Sequence, residues 1–370
     1  MKVLYSCLSK SWGGMEMFTL TAIKELQKRN IKVELLCSAE SRLHIEANNL
    51  GLIIYPVKAS GYFHPLTILK LASVLRSGRY DLVHTQFSKD LWIIVPAVRL
   101  LGKNIPVFLT KQLGSFIVKK DILHRWIYKN ITAAFAISRV IKKNLLETVP
   151  LPESKIEILH NGIDINRFNP ENADRSIVRK EFGVKDDELL TGMLARFSPG
   201  KGHEEFLAAA RNLSQKYNNL KFIIVGEASR GENDYADKIK ALAADYGLNN
   251  VIFSGFRSDT PDVLAAMDLF VFPSHAEAFG IALAEAMAMG KPCVASNSDG
   301  ILDLIDDKKN GYLFENKSAE DLEKKMEAMI ISAEQRDAMG KAARLSAVER
   351  FDIAVLTEKT INYYKKYTVK

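Results

Sequence analysis

The sequence predicts an α/β protein made of two doubly wound, Rossmann-like domains, and three observations carry that expectation. At 370 residues the chain is longer than a single hydrophobic core usually organises. Short apolar runs alternate with longer stretches of helical period, as in a parallel sheet covered by helices on both faces. The alternation breaks at Asn161-Gly-Ile-Asp-Ile-Asn-Arg-Phe-Asn-Pro170, a polar, turn-rich stretch with the composition of a domain boundary.

In the first half, strands are expected at Val3–Ser6, Val33–Cys37, Leu52–Val57, Leu82–His84, Val107–Thr110, Ala133–Ile137 and Ile156–Leu159. Between the first two, Met15–Arg29 carries Phe18, Ala22 and Leu26 at helical spacing and ends on Lys28 and Arg29, which suit the negative end of a helix dipole. Gly13-Gly14 opens that helix, where a tight turn and a backbone contact to a phosphate are both open readings. In the second half, strands are expected at Leu189–Leu194, Phe222–Gly226, Val251–Gly255, Leu269–Phe272, Cys293–Ser296 and Tyr312–Phe314. The closing stretch, Phe351–Lys366, is again helical in period. The domains are therefore drawn at 1–165, joined by about 351–370, and at 166–350.

Composition narrows the function classes. With 47% hydrophobic and 26% charged residues the chain reads as a soluble globular protein. No apolar run approaches the roughly 18 to 20 residues of a membrane span. Met1–Leu8 has too brief an apolar part for a signal peptide and reads as a first strand. Cys7, Cys37 and Cys293 are too scattered for a metal or disulfide pattern, so the expected compartment is the cytoplasm. Basic charge is local: Val98–Glu147 holds ten Lys or Arg against two Asp or Glu, a balance of +8 in a chain of net +7. Inside it, Phe116, Trp126 and Tyr128 mix with Lys119, Lys120, Arg125 and Lys129. A peripheral contact with an anionic membrane and an ordinary domain helix with a solvated basic face both fit that stretch. No nucleic-acid recognition module is present, and nucleic acid is not an expected partner.

Ligands of open parallel sheets bind beyond the carboxyl ends of the strands. In the second half those ends carry Arg196 and Lys201 in Leu194–Gly202, Gly226 in Val225-Gly-Glu227, and Phe256 beside Gly255. They also carry His275–Gly290, which puts Glu277 in a loop and Glu285 inside a helix expected over Phe279–Met289. Two cations near a helix start suit a diphosphate, amides at Ala278, Phe279, Gly280 and Ile281 add donors, and the carboxylates can accept from sugar hydroxyls. Taken singly, each piece also has a bland reading as surface charge, loop glycine or helix-end charge.

Together the pieces resemble the retaining glycosyltransferases of the GT-B fold, family-4 type. The matching segments are Gly13-Gly-Met-Glu16, Asp81-Leu-Val-His84, Asn161-Gly-Ile-Asp164, Arg196–Gly202, Ile224-Val-Gly-Glu227, Val251–Gly255 and the Glu277/Glu285 element. The resemblance implies two facing Rossmann-like domains, with the C-terminal helix crossing back to the first, acceptor-binding domain and the second binding a nucleotide-sugar donor. Arg196 and Lys201 would bind the donor diphosphate, Glu277 the donor sugar near the reacting centre, and Glu285 the ribose. Phe279, Gly280 and Ile281 would offer backbone, and Gly14 would lie under the diphosphate. The implied reaction moves a sugar to a hydroxyl of a glycan or lipid-linked acceptor, in lipopolysaccharide-core or other surface-polysaccharide synthesis. It uses no cofactor, and a metal is not required; the chain has no Asp-x-Asp sequence. One departure concerns the histidine that many relatives carry after the strand at Val107–Thr110, where this chain has Lys111 and Gln112. Gln112 would then hydrogen-bond a sugar hydroxyl, with His84 as a further candidate at a strand end. The rival readings are a non-catalytic nucleotide-sugar-binding or partner subunit, motivated by Gln112, and a nucleotide-sugar epimerase.

Overall fold

The computed structural model describes residues 1–58, 64–228 and 231–368. The chain divides into two compact units, Met1–Gly162 with Ile353–Lys370, and Ile163–Asp352. Each is built on a parallel sheet, and each expected strand is present to within two residues at its ends.

The sheet of the first unit comprises β1 (Lys2–Cys7), β2 (Lys32–Ser38), β3 (Ile54–Val57), β4 (Leu82–Thr85), β5 (Val107–Lys111), β6 (Ala133–Ala136) and β7 (Ile156–Ile158). Their spatial order is β3-β2-β1-β4-β5-β6-β7. Val3 of β1 is in register with Val33 on one side and Leu82 on the other, so the winding reverses between β1 and β4. Pro56 lies in β3, where the missing N–H is tolerated because β3 is an edge strand. The helix Gly14–Lys28 begins at the Gly13-Gly14 pair and packs Leu20, Ile23 and Leu26 inward.

The last helix, Ile353–Thr368, belongs to this first unit. Its Tyr364 is fully buried against Phe108, with ring centroids 5.2 Å apart, and Phe108 in turn stacks on Phe135 at 5.7 Å. Arg29, at the end of Gly14–Lys28, bonds the Ala354 carbonyl at 3.0 Å and the Glu358 carboxylate at 2.6 Å. An aromatic stack and one bridging arginine thus fix the returning helix.

The second sheet comprises β8 (Leu189–Leu194), β9 (Leu220–Val225), β10 (Val251–Gly255), β11 (Leu269–Phe272), β12 (Cys293–Ser296) and β13 (Tyr312–Phe314), in the order β10-β9-β8-β11-β12-β13. Here the reversal falls between β8 and β11. One face packs Phe206 and Leu207 of the helix His203–Lys216 and Leu322 and Met326 of the helix Ala319–Ile331 over Phe222 and Val271. Cys7, Cys37 and Cys293 are buried free thiols. Among the described residues no helix is long and apolar enough to cross a membrane.

Tyr364 tests the role of the returning helix. Truncation by Tyr364→Ala should destabilise the first unit by about 3–5 kcal/mol, the range for a large buried aromatic. Thermal unfolding should show its transition moved to lower temperature.

Candidate active site

The second unit gathers most of the expected site residues at the reversal of its strand order. The loop after β8, residues 195–202, ends at Gly202, whose φ of +78° makes it a left-handed cap for the helix His203–Lys216. A Cβ at Gly202 would lie 2.2 Å from the Pro273 carbonyl oxygen, so only glycine lets this loop touch the one after β11. Two further contacts tie the loop after β11 to this segment: the His275 amide donates to the Gly200 carbonyl at 2.9 Å, and His275 Nε2 lies 2.8 Å from Oε1 of Glu205 in the first turn of the helix. Across this seam the Lys201 ammonium donates to Glu277, and both side chains are largely buried. The sequence proposed the two residues for separate tasks; the fold makes them an ion pair. Arg196 stands exposed on the same loop.

The helix expected from Phe279 begins two residues later, as Ile281–Ala288. Gly280 caps it in the left-handed region, with φ at +100°, which delays the helical turn. Phe279 is buried, its ring 5.6 Å from Phe351 in an edge-on contact, so its side chain belongs to the core. Behind the loop, the Gly300 amide donates to the Glu277 carbonyl at 2.9 Å, fixing the backbone that carries Glu277. Glu285, one turn into the helix, has no hydrogen-bond or ion-pair partner for its carboxylate among the described residues. Loss of hydration raises its pKa to about 7, and the charge of Arg167 acts in the opposite direction.

Gly226 follows β9 with φ at +145°, and a Cβ there would come within 2.0 Å of the Ala195 carbonyl oxygen. With Phe197, Glu227, Lys240, Phe253 and Gly255 it lines a pocket of about 600 Å³. Phe256, next in sequence, is exposed. Sequence reasoning missed His203, which stacks on Phe197 at 4.8 Å beside this pocket. Burial lowers its pKa to about 4, which keeps the imidazole neutral. It also assigned no role to His275 and Glu205, whose pairing could be found only once the two loops were known to meet.

In the first unit, Gly14 is the exposed first residue of its helix, and Glu16 is buried just behind the Gly13-Gly14 turn. The two catalytic candidates of this unit, His84 and Gln112, are both buried in hydrogen-bonded surroundings. His84 is buried among Tyr5, Phe108, Phe135 and Tyr364; one ring nitrogen meets the Tyr364 hydroxyl and the other lies 2.7 Å from Thr110 Oγ1. Burial drives its pKa down to about 3, so it is a neutral structural link to the returning helix. Gln112, 5% exposed, donates to Gln86 at 2.7 Å and to Asn161 at 3.1 Å, and accepts from Asn161 at 2.9 Å. Both amide donations are thus made within this buried chain, while Oε1 takes one bond and keeps a second acceptor site.

The comparisons with known proteins agree with this architecture. Residues 174–346 match the family described as Glycosyl transferases group 1, and residues 12–167 match Glycosyltransferase Family 4. The chain belongs to the GT-B glycosyltransferases of the family-4 type, and it is a glycosyltransferase. It is 28% identical over 316 residues to the UDP-Gal:alpha-D-GlcNAc-diphosphoundecaprenol alpha-1,3-galactosyltransferase of Escherichia coli, covering 80% of this chain and 78% of that one. It is 24% identical to the N,N'-diacetylbacillosaminyl-diphospho-undecaprenol alpha-1,3-N-acetylgalactosaminyltransferase of Campylobacter jejuni, covering 97% of each. Among solved structures, Anabaena Alr3699/HepE in complex with UDP-glucose superposes with a TM-score of 0.83 at 24% identity, over 99% of this chain and 100% of that one.

Glu285 gives a direct check on the site's electrostatics. Its carboxyl should titrate near 7 by carbon NMR of labelled glutamate. Arg167→Ala removes a charge that favours the ionised form, and should move that titration upward.

Proposed function

We propose that the chain transfers a sugar from a nucleoside-diphosphate sugar to a hydroxyl of a glycan or lipid-linked acceptor, with the anomeric configuration retained. The observation that carries this reading is the joining of Lys201 and Glu277 beside a glycine-capped helix start, with the Glu285 carboxylate unpartnered one turn on. The printed names of the relatives support it: UDP-Gal is the donor of the Escherichia coli enzyme, and the Anabaena protein is complexed with UDP-glucose. Uridine is the base we favour. Both relatives named above act on sugars carried by diphosphoundecaprenol, which supports work at the cytoplasmic face of a membrane in surface-polysaccharide synthesis.

In this reading Arg196, Lys201 and the amides around Gly280 and Ile281 meet the charge that grows as the bond from the anomeric carbon to the diphosphate oxygen breaks. The acceptor oxygen bonds to the same face of that carbon, and its proton leaves on the departing phosphate. Glu277 holds the donor sugar, Glu285 accepts from the ribose hydroxyls, and Gly226 and Phe256 border the nucleoside. We propose that these cations take the place of a metal and that the reaction needs neither metal nor cofactor.

A thermal-shift panel of nucleoside diphosphates and their sugars, run with and without EDTA, tests this. A uridine ligand at about a hundredfold over its Kd should stabilise the protein by roughly 2.7 kcal/mol. Arg196→Ala should abolish most of the shift. Absence of a shift with every base, or a shift that EDTA removes, would overturn the reading.

A further inference from the structure

The carboxyl end of β5 and the loop that follows bring two lysines without acidic partners against a group of exposed apolar side chains. Lys111, the last residue of β5, is only 6% exposed, and its ammonium donates to Ser88 Oγ at 3.1 Å. Among the described residues neither Lys111 nor Lys119 forms an ion pair. Burial, and then the charge of Lys119, bring the Lys111 pKa down to about 8; burial, and then Lys89, lower that of Lys119. An ammonium placed in a poorly hydrated position beside a second cation is unfavourable unless an anion joins them. The place is also the one where α/β sheets bind ligands, beyond the carboxyl ends of neighbouring strands, here β4 and β5.

Leu113, Phe116, Ile117, Val118, Ile122 and Trp126 lie on the same stretch. Phe116 is fully exposed and Ile122 is 84% exposed, while Ile117 and Val118 are both more than half exposed. Lys120, Arg125 and Lys129 border them. Between Lys111 and Lys129 Asp121 is the sole acidic residue, and its carboxylate is engaged in capping the helix Ile122–Lys129 and bonding His124. The surface is therefore apolar with a basic margin. That combination fits a bilayer, where apolar side chains enter the acyl boundary and lysines meet phosphate headgroups.

We propose that Lys111 and Lys119 bind the phosphates of a membrane-borne lipid diphosphate carrying the acceptor sugar, while Phe116, Ile117, Val118 and Ile122 enter the bilayer beside it. This assignment rests on the lipid-linked acceptor reading above. Two ammonium groups that feel each other's charge match the two charges of a diphosphate diester, and the apolar loop that carries Lys119 leaves the lipid tail in hydrocarbon. The sequence left this stretch between a membrane contact and a solvated helix face. The structure favours the former, because the apolar side chains are turned outward.

The test is flotation of the full-length protein with three kinds of vesicle: phosphatidylcholine alone, phosphatidylcholine with phosphatidylglycerol, and phosphatidylcholine with a polyprenyl diphosphate at matched charge. The wild type should bind the third kind about fivefold or more better than the second, as expected for at least one specific lysine–phosphate contact. Lys119→Gln, at a partly exposed position, should remove that preference, and so should Lys111→Gln if it folds. Phe116→Ser with Ile117→Ser should weaken binding to all three. Equal binding to the two anionic vesicles, or an unchanged preference in Lys119→Gln, would overturn the proposal. Inorganic pyrophosphate that protected the protein from thermal unfolding as well as the lipid did would overturn its lipid part. The UDP thermal shift, measured on each variant, reports the donor reading separately: a normal shift with no lipid preference sinks only the lipid-diphosphate site.

Discussion

The ion pair between Lys201 and Glu277 is possible because β8 and β11 are neighbours in space although two strands separate them in sequence. Where strand order reverses, the loops from the two strands are not held apart by a crossover helix, and a crevice opens at their carboxyl ends. In this chain the crevice is closed at its base by backbone contact, through the Gly202–Pro273 approach and the His275–Gly200 hydrogen bond. The two charges then have little freedom, and the lysine is positioned before any ligand arrives. A preformed cation costs less reorganisation when a diphosphate charge must be met than one recruited from solvent.

The first unit treats the same topological position differently. At its reversal, between β1 and β4, Asp90 is buried and accepts from Ser6 at 2.6 Å, Thr85 at 3.0 Å and the Leu8 amide at 3.2 Å. Burial outweighs these hydrogen bonds and raises its pKa to about 7. Beside it, Gln86, Gln112 and Asn161 satisfy one another, and His84 ties β4 to the returning helix. The polar groups at these strand ends bond one another, whereas Glu285 of the second unit has no hydrogen-bond partner among the described residues. The lipid-phosphate contact proposed for the first unit lies instead at the end of β5, around Lys111.

Much of the fold was legible in the sequence because strands buried on both faces must be apolar throughout, and each ends where a glycine, proline or polar cluster takes over. Leu189–Leu194 and Leu269–Phe272 could be read to the residue for that reason. Boundaries failed where a cap intervened: Phe279 has good helical neighbours, but the left-handed Gly280 defers the helix to Ile281. Site residues on one loop were legible from spacing and from family likeness; pairings between loops were not. Nothing near Lys201 in sequence indicates Glu277 as its partner, and nothing near Gln112 indicates Asn161. Nothing near His84 in sequence reveals that an aromatic helix from residues 353–368 will cover it.

If Lys201 and Glu277 act as one unit in holding the donor, their contributions cannot be independent. The most direct measurement is a double-mutant cycle on UDP binding by calorimetry, using the wild type, Lys201→Ala, Glu277→Gln and the double variant. A coupling of about 1 kcal/mol or more between the two positions is expected. Additivity within about 0.3–0.5 kcal/mol would contradict it, and would mean that the ion pair is incidental to the site.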